Sequence, residues 1–187
     1  MRAIGRGTNE RGSILIVNGP AASGKSTAAR VLAEQSSEPS VHLHGDDFFR
    51  ALKVGRLRGW EEGAVPQHEV VFDAMAKAAT SLANGGYFVV LDSLIRPRYL
   101  EILIDIIKSK DVELHYVVLR PSWSEVQRRS DQRDETWRHD VAVLQILYDV
   151  FAELGDLESH VIENTMLDES QTVTAIRTKL SSGELLI

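Results

Sequence analysis

The stretch Ile14-Leu15-Ile16-Val17-Asn18-Gly19-Pro20-Ala21-Ala22-Ser23-Gly24-Lys25-Ser26-Thr27 decides the reading of this chain. Ile14 to Val17 is a short β-branched run, so it reads as a buried strand, and it passes straight into a glycine-bounded loop. From Lys25 to about Gln35, Ala28, Ala29, Val31 and Leu32 recur at helical spacing, which makes the whole segment strand, loop, helix. Working outward, the same alternation repeats. Strands are expected at Val41 to His44, Tyr87 to Asp92, Val112 to Leu119 and His160 to Glu163. Helices are expected at Gln67 to Ala83, Tyr99 to Lys108, from Ser122 onward, at Val141 to Leu154, and from Asp168 to about Ser182. Five apolar strands alternating with helices need crossover connections, so the expectation is a three-layer α/β/α sandwich around a five-stranded parallel sheet.

Composition bounds what such a domain does. The 187 residues carry 21 Lys plus Arg against 27 Asp plus Glu, a formal charge of −6, and 43% of them are hydrophobic. At this length a single domain is expected, spanning 1–187, with a polar leader over residues 1–12. No apolar run approaches the ~20 residues that cross a bilayer, so no membrane partner is expected. The absence of cysteine removes disulfides, thiolate nucleophiles and thiolate zinc sites, and is in keeping with a cytoplasmic location. An acidic chain also argues against nucleic acid as the main partner.

The loop from residue 19 to residue 27 has the spacing Gly19-x-x-x-x-Gly24-Lys25-Ser26 of a Walker A motif, in the strand-to-helix context that the motif requires. Its glycines let consecutive backbone N–H groups turn inward, and the helix that follows contributes the positive end of its dipole. Gly19, Ala21, Ala22, Ser23, Gly24, Lys25, Ser26 and Thr27 are therefore read as the cradle of ATP. Lys25 would meet the β and γ phosphates and Ser26 would ligate Mg²⁺.

Acidic residues that close parallel strands lie where such sheets bind ligands. Asp92 is read as a metal-holding carboxylate, Asp46 as the group that orients an acceptor hydroxyl and takes its proton, and Asp47 as a helper at the metal or a turn cap. Arg129 and Arg133 are four apart on an expected helix, with Arg128 beside them, and are read as the cations of a lid over about 122–139. Residues 48–66 are irregular and read as an acceptor-side insert. Arg50, Arg56, Arg58, Trp60, Gln67, His68, Arg96 and Arg98 are candidates for its pocket. His42 and His44 alternate on a strand but lack a third ligand at fixed spacing, so they are read as sheet residues and not as a metal pair.

These residues together, the loop at 19–27, His44-Gly45-Asp46-Asp47, Leu91-Asp92 and the 128–133 arginines, resemble the P-loop kinases of the nucleoside-monophosphate-kinase-like group. The chloramphenicol-phosphotransferase-like, zeta-toxin-like and gluconate-kinase-like branches are the most similar. The resemblance implies the P-loop NTPase fold with strand order 2-3-1-4-5, an acceptor-orienting aspartate at Asp46, and an adenine-bordering loop at Asn164-Thr165. It further implies transfer of a phosphoryl group from ATP to a hydroxyl of a small acceptor such as an antibiotic, sugar derivative or metabolite. A nucleotide or polynucleotide 5′-hydroxyl kinase and a nucleotide-dependent switch stay open as alternatives. A switch is disfavoured by the missing Asn-Lys-x-Asp motif and by a chain too short for an added lid domain. Neither the oligomeric state nor the acceptor is legible.

Overall fold

The computed structural model describes residues 11–59, 61–133 and 140–187. Most of the leader, Trp60 of the insert and residues 134–139 of the expected lid lie outside them. In chain order the elements are β1 (Ser13–Asn18), α1 (Lys25–Glu34), β2 (Ser40–His44), α2 (Gly45–Ala51), α3 (Ala64–Asn84), β3 (Phe88–Asp92) and α4 (Pro97–Lys108). They continue with β4 (Glu113–Leu119), α5 (Trp123–Asp131), α6 (Val141–Asp149), a 3-10 helix (Gly155–His160), β5 (Val161–Ile162) and α7 (Glu169–Ser181). All five strands are parallel and their order is β2-β3-β1-β4-β5.

The strands are apolar on both faces because both faces are covered. Ile14, Ile16, Val89, Leu91, Leu114, Tyr116 and Val118 pack with α3 and α4. Their alternating neighbours Leu15, Val17, Val90, Val117 and Leu119 pack with α1 and α7. A smaller cluster joins Ala21 and Ala22 of the glycine loop to Val126, Leu144 and Leu147, so the loop is backed by α5 and α6. The last strand has only two residues, and the chain end completes the edge of β4: Tyr116 N–H donates to the Leu185 carbonyl and Ile187 N–H to that of Leu114.

Three boundaries differ from the sequence reading for local reasons. The segment after β2 is not irregular throughout, because Asp46 and Asp47 occupy the first turn of the short helix α2, where carboxylates favour the positive end of the dipole. α3 begins at Ala64, with Pro66 inside its first turn, where a missing N–H costs nothing. α6 stops at Asp149, short of the expected Leu154, and a 3-10 turn follows Gly155, whose φ is +56°. The caps hold where the side chains allow. Asp168 and Gln171 form a reciprocal capping box at α7, whereas at α5 Ser122 accepts from Glu125 N–H but the Glu125 carboxylate turns away to two arginines.

Candidate phosphate and metal site

Asn18, fully buried at the end of β1, fixes where the loop departs. Its Oδ1 accepts from the N–H of Gly19 and of Ile95, and its Nδ2 donates to the Ile95 carbonyl and to the Tyr116 hydroxyl. Burial pushes the Tyr116 phenol up to about 12, with the Asn18 hydrogen bond working against that, so it stays a neutral partner. Gly19 has φ +143°, and a Cβ there would lie 2.4 Å from the Leu119 carbonyl oxygen, so the turn admits only glycine. Gly24, at φ +92°, caps α1 with no side chain. Consequently the N–H groups of Gly24, Lys25, Ser26 and Thr27 find no partner among the described residues, and the buried Ser23 Oγ has none either. Donors aimed into one concavity at a helix N-terminus are what an anion requires, and they fit a polyphosphate.

Lys25 Nζ donates to the Pro20 carbonyl at 3.2 Å. Burial lowers its pKa, the charges of Asp46 and Asp92 act to raise it, and Arg133 adds to the lowering. Ser26 Oγ donates to Asp92 Oδ2 at 2.5 Å. Parallel pairing sets Val17 and His44 on either side of Asp92, which brings the end of β3 to the mouth of the loop. Asp92 is completely buried. Desolvation works to raise its pKa, yet hydrogen bonds with His42, Ser26 and His44 outweigh it and hold the carboxyl below its ordinary range. A serine hydroxyl and an ionised carboxylate in contact are the oxygen donors that Mg²⁺ accepts. Asp47 is placed differently: it is exposed and pairs with Arg50 at 2.9 Å, and no hydrogen bond or ion pair among the described residues joins it to Ser26 or Asp92.

The histidines require a correction. They do have a third partner, because the register that pairs His44 with Asp92 puts His42 on the same sheet face two residues back. His42 Nε2 lies 2.5 Å from Asp92 Oδ1, and His44 Nδ1 lies 3.0 and 3.1 Å from its two oxygens.

Asp46 stands 3.9 Å from both Arg50 Nη2 and His44 Nε2. It also opposes, through its charge, the lowering of Lys25 and of Arg133 that burial produces. Lys25, Asp46 and Arg133 therefore share one electrostatic environment. Beyond Asp46 an aromatic cluster runs from the core toward basic residues, with Phe49, Phe72 and Tyr99 buried and His68 partly exposed. Phe72 stacks on Tyr99 with ring centroids 4.8 Å apart, Phe49 tilts against His68 at 4.8 Å, and Arg98 lies over Tyr99. Burial lowers the His68 pKa against a hydrogen bond to the Leu57 carbonyl that raises it, and Arg96 and Arg56 lower it further. Gln67 has a structural task, closing the insert through the Leu57 N–H and the Gly55 carbonyl.

The two lid arginines separate. α5 ends at Asp131, so Arg133 lies past the helix and does not share a helical face with Arg129. Arg129 donates to the Ser23 carbonyl at 3.1 Å, to the Asn164 carbonyl at 3.0 Å and to Glu125 at 2.7 Å, tying the glycine loop to the loop after β5. Arg128 is exposed and also pairs with Glu125, and the two arginines hold that carboxyl down at about 2. Asn164 Nδ2 donates to the same Ser23 carbonyl. Thr165 Oγ1 accepts from Ser122 N–H and bonds Glu163. A cavity of ≈ 540 Å³ opens between Gly24, Thr27, Arg129, Asn164, Thr165 and Leu167, beside the cradle. The sequence reading missed Asn18 altogether and took Glu125 only as the capping partner of Ser122. The one available signal was an amide residue closing a strand just before the glycine loop.

No curated protein matches the chain in sequence. Among solved structures it is similar to a sugar kinase from Janibacter sp. HTCC2649, with TM-score 0.71 and 16% identity over 91% of this chain and 95% of that one. It is also similar to the APS kinase of Mycobacterium tuberculosis in complex with AMPPNP and APS (TM-score 0.70, 15% identity, 92% and 99% covered). A third is the tunicamycin resistance protein of Deinococcus radiodurans (0.66, 18%, 93% and 98%). The model of the family described as AAA domain matches residues 14–154. The chain belongs to that AAA domain family and has the fold of the P-loop kinases of the nucleoside-monophosphate-kinase-like group.

Proposed function

We propose that this protein is an ATP-dependent phosphotransferase that moves the γ-phosphoryl group to a hydroxyl of a small acceptor. The observation that carries the reading is the glycine loop itself, its amides without partners among the described residues and its Ser26 bonded to the buried Asp92, with Lys25 in electrostatic reach of Asp46 and Arg133. The unpartnered loop amides supply the donors for the phosphates, and Ser26 with Asp92 would hold Mg²⁺, which neutralises phosphate charge when bound.

On this reading Asp46 accepts the proton of the acceptor hydroxyl as its oxygen bonds to phosphorus and the bond to the departing ADP breaks. Lys25 and Arg133 meet the charge on the phosphoryl oxygens. Arg129 is a positioning residue, since its donors are already engaged by Ser23, Asn164 and Glu125. The cavity bordered by Asn164 and Thr165 takes the adenosine, and the partly exposed His68, with Arg96 and Arg56 nearby and Phe49 and Tyr99 packed beneath it, faces the acceptor. On this reading the described residues of 48–66 form the acceptor wall and 122–133 the described part of the lid.

The test is acceptor-stimulated ADP release across a panel of alcohols, sugars, nucleosides, antibiotics and 5′-hydroxyl oligonucleotides. Stimulation by a small hydroxyl compound is expected, with phosphate recovered on it. Stimulation by the oligonucleotide alone would reassign the acceptor, and a rate indifferent to every acceptor would make the protein a nucleotide-dependent switch.

A further inference from the structure

We propose that His42, His44 and Asp92 form a binding site for a divalent transition-metal ion, a two-histidine, one-carboxylate set that takes Mn²⁺, Co²⁺ or Zn²⁺ in the absence of nucleotide. One ring nitrogen of each histidine and a carboxylate oxygen all lie within 4.8 Å of one another. Two ligands bonded to one such ion sit at most about 4.2 Å apart, twice a bond of ~2.1 Å, so no pair needs to close by as much as an ångström, while the histidine–carboxylate contacts, now at 2.5 and 3.0 Å, open to admit the ion.

The electrostatics ask for a cation. Asp92 is wholly buried, and a carboxylate in that position is favoured by a cation beside it. The two rings are each about a quarter exposed, so the open side of the cluster lies toward solvent and the mouth of the cradle, where Ser26 Oγ bonds the same carboxylate. His44 meets Asp92 through Nδ1, and its Nε2 faces Asp46 Oδ2 at 3.9 Å. Imidazole nitrogen selects the borderline cations over Mg²⁺, which prefers oxygen and keeps its waters. The opposing charges are Lys25, which also feels Asp92, Arg50, whose Nη2 lies 3.9 Å from Asp46, and Arg133, so the two carboxylates Asp92 and Asp46 are only partly offset at the solvent side, where the ion would sit between the histidines.

The site uses Asp92 but does not require the phosphotransferase reading, and it is tested without nucleotide. Co²⁺ added to the full-length protein should give visible absorption of a nitrogen-ligated ion that Zn²⁺ displaces and that about a hundred-fold excess of Mg²⁺ does not. His42→Ala and His44→Ala should each weaken Co²⁺ binding by about ten-fold or more, the scale of lost metal-site partners. In the unsubstituted protein, substoichiometric Zn²⁺ should shift the ¹⁵N imidazole resonances of His42 and His44 while those of His68, His115 and His160 stay in place. That measurement holds even if the alanine variants misfold. Unmoved His42 and His44 resonances, or Co²⁺ displaced as readily by Mg²⁺ as by Zn²⁺, would overturn the proposal and leave the histidines as hydrogen-bond braces of Asp92. Nucleotide binding measured in parallel keeps this outcome separate from a failure of the phosphotransferase reading.

Discussion

The two sides of the cleft are built to different standards. On the glycine-loop side the backbone is pinned at both ends by polar groups: Asn18 makes four hydrogen bonds, and the Ser23 carbonyl alone accepts from both Arg129 and Asn164. On the acceptor side, α2 is seven residues long, its N-cap makes no side-chain hydrogen bond, and the loop after it exposes Val54 at 93%. The contrast has a physical cause. On the proposed function, a triphosphate presents the same charges to any phosphotransferase, so a fixed set of donors is worth pre-organising, whereas an acceptor surface is free to vary on a thinly packed edge.

The sharpest way to break that comparison is at Lys25. Lys25→Ala removes the ammonium that burial and two carboxylates jointly define, and ATP turnover should fall by about 10²–10³-fold or more, the scale of a lost pre-positioned electrostatic group. ADP release under saturating acceptor measures it, and near-normal turnover would take the loop out of the chemistry. Asp46→Asn tests the opposite wall. Turnover should drop by about 10²-fold with nucleotide affinity nearly unchanged, because the substitution keeps the shape and removes the base. Nucleotide titration beside single-turnover kinetics separates the two, and a loss confined to binding would move Asp46 from the acceptor to the donor side.

Stability should divide along the same line. Asn18→Leu keeps the branching but strands the N–H groups of Gly19 and Ile95, the Ile95 carbonyl and the Tyr116 hydroxyl and adds bulk to a fully buried position, for a loss of at least ~2 kcal/mol in denaturant unfolding. Val54→Asn on the exposed loop should stay within about 0.5 kcal/mol. Similar losses in the two variants would mean that the acceptor edge is as tightly built as the cradle.

How far the sequence was legible follows the same division. The apolar strands and the glycine loop could be read because both obey local rules, periodicity and the demand for N–H groups near phosphate. Strand order came only through resemblance to a family, since parallel pairing joins residues far apart in sequence. The same limit hid the histidine cluster: His42 and His44 are two apart, but Asp92 reaches them only through the β2–β3 register. Arg129 and Arg133 illustrate the reverse error. Four-residue spacing puts two side chains on one face only while the helix lasts, and α5 ends between them.

The smallest effect concerns how Arg129 is held. Glu125 has its pKa brought down to about 2, from an ordinary 4.5, by hydrogen bonds from Arg128 and Arg129. A carboxyl depressed on folding adds stability that is complete above its unfolded pKa and disappears as pH falls through the folded one. The contribution of Glu125 should therefore be intact above pH about 4.5 and fade between there and about 2. Glu125→Gln keeps an amide able to accept from one arginine but deletes the charge. Its melting temperature should lie a few degrees below that of the unsubstituted protein near neutrality, on the scale of an ion pair of ~1 kcal/mol or less, and the gap should narrow as the pH is lowered through that window. A gap that stayed constant with pH would mean that Glu125 stabilises α5 by packing alone. Arg129 would then owe its position to Ser23 and Asn164, and the phosphate side would be braced by its backbone carbonyls without help from this ion pair.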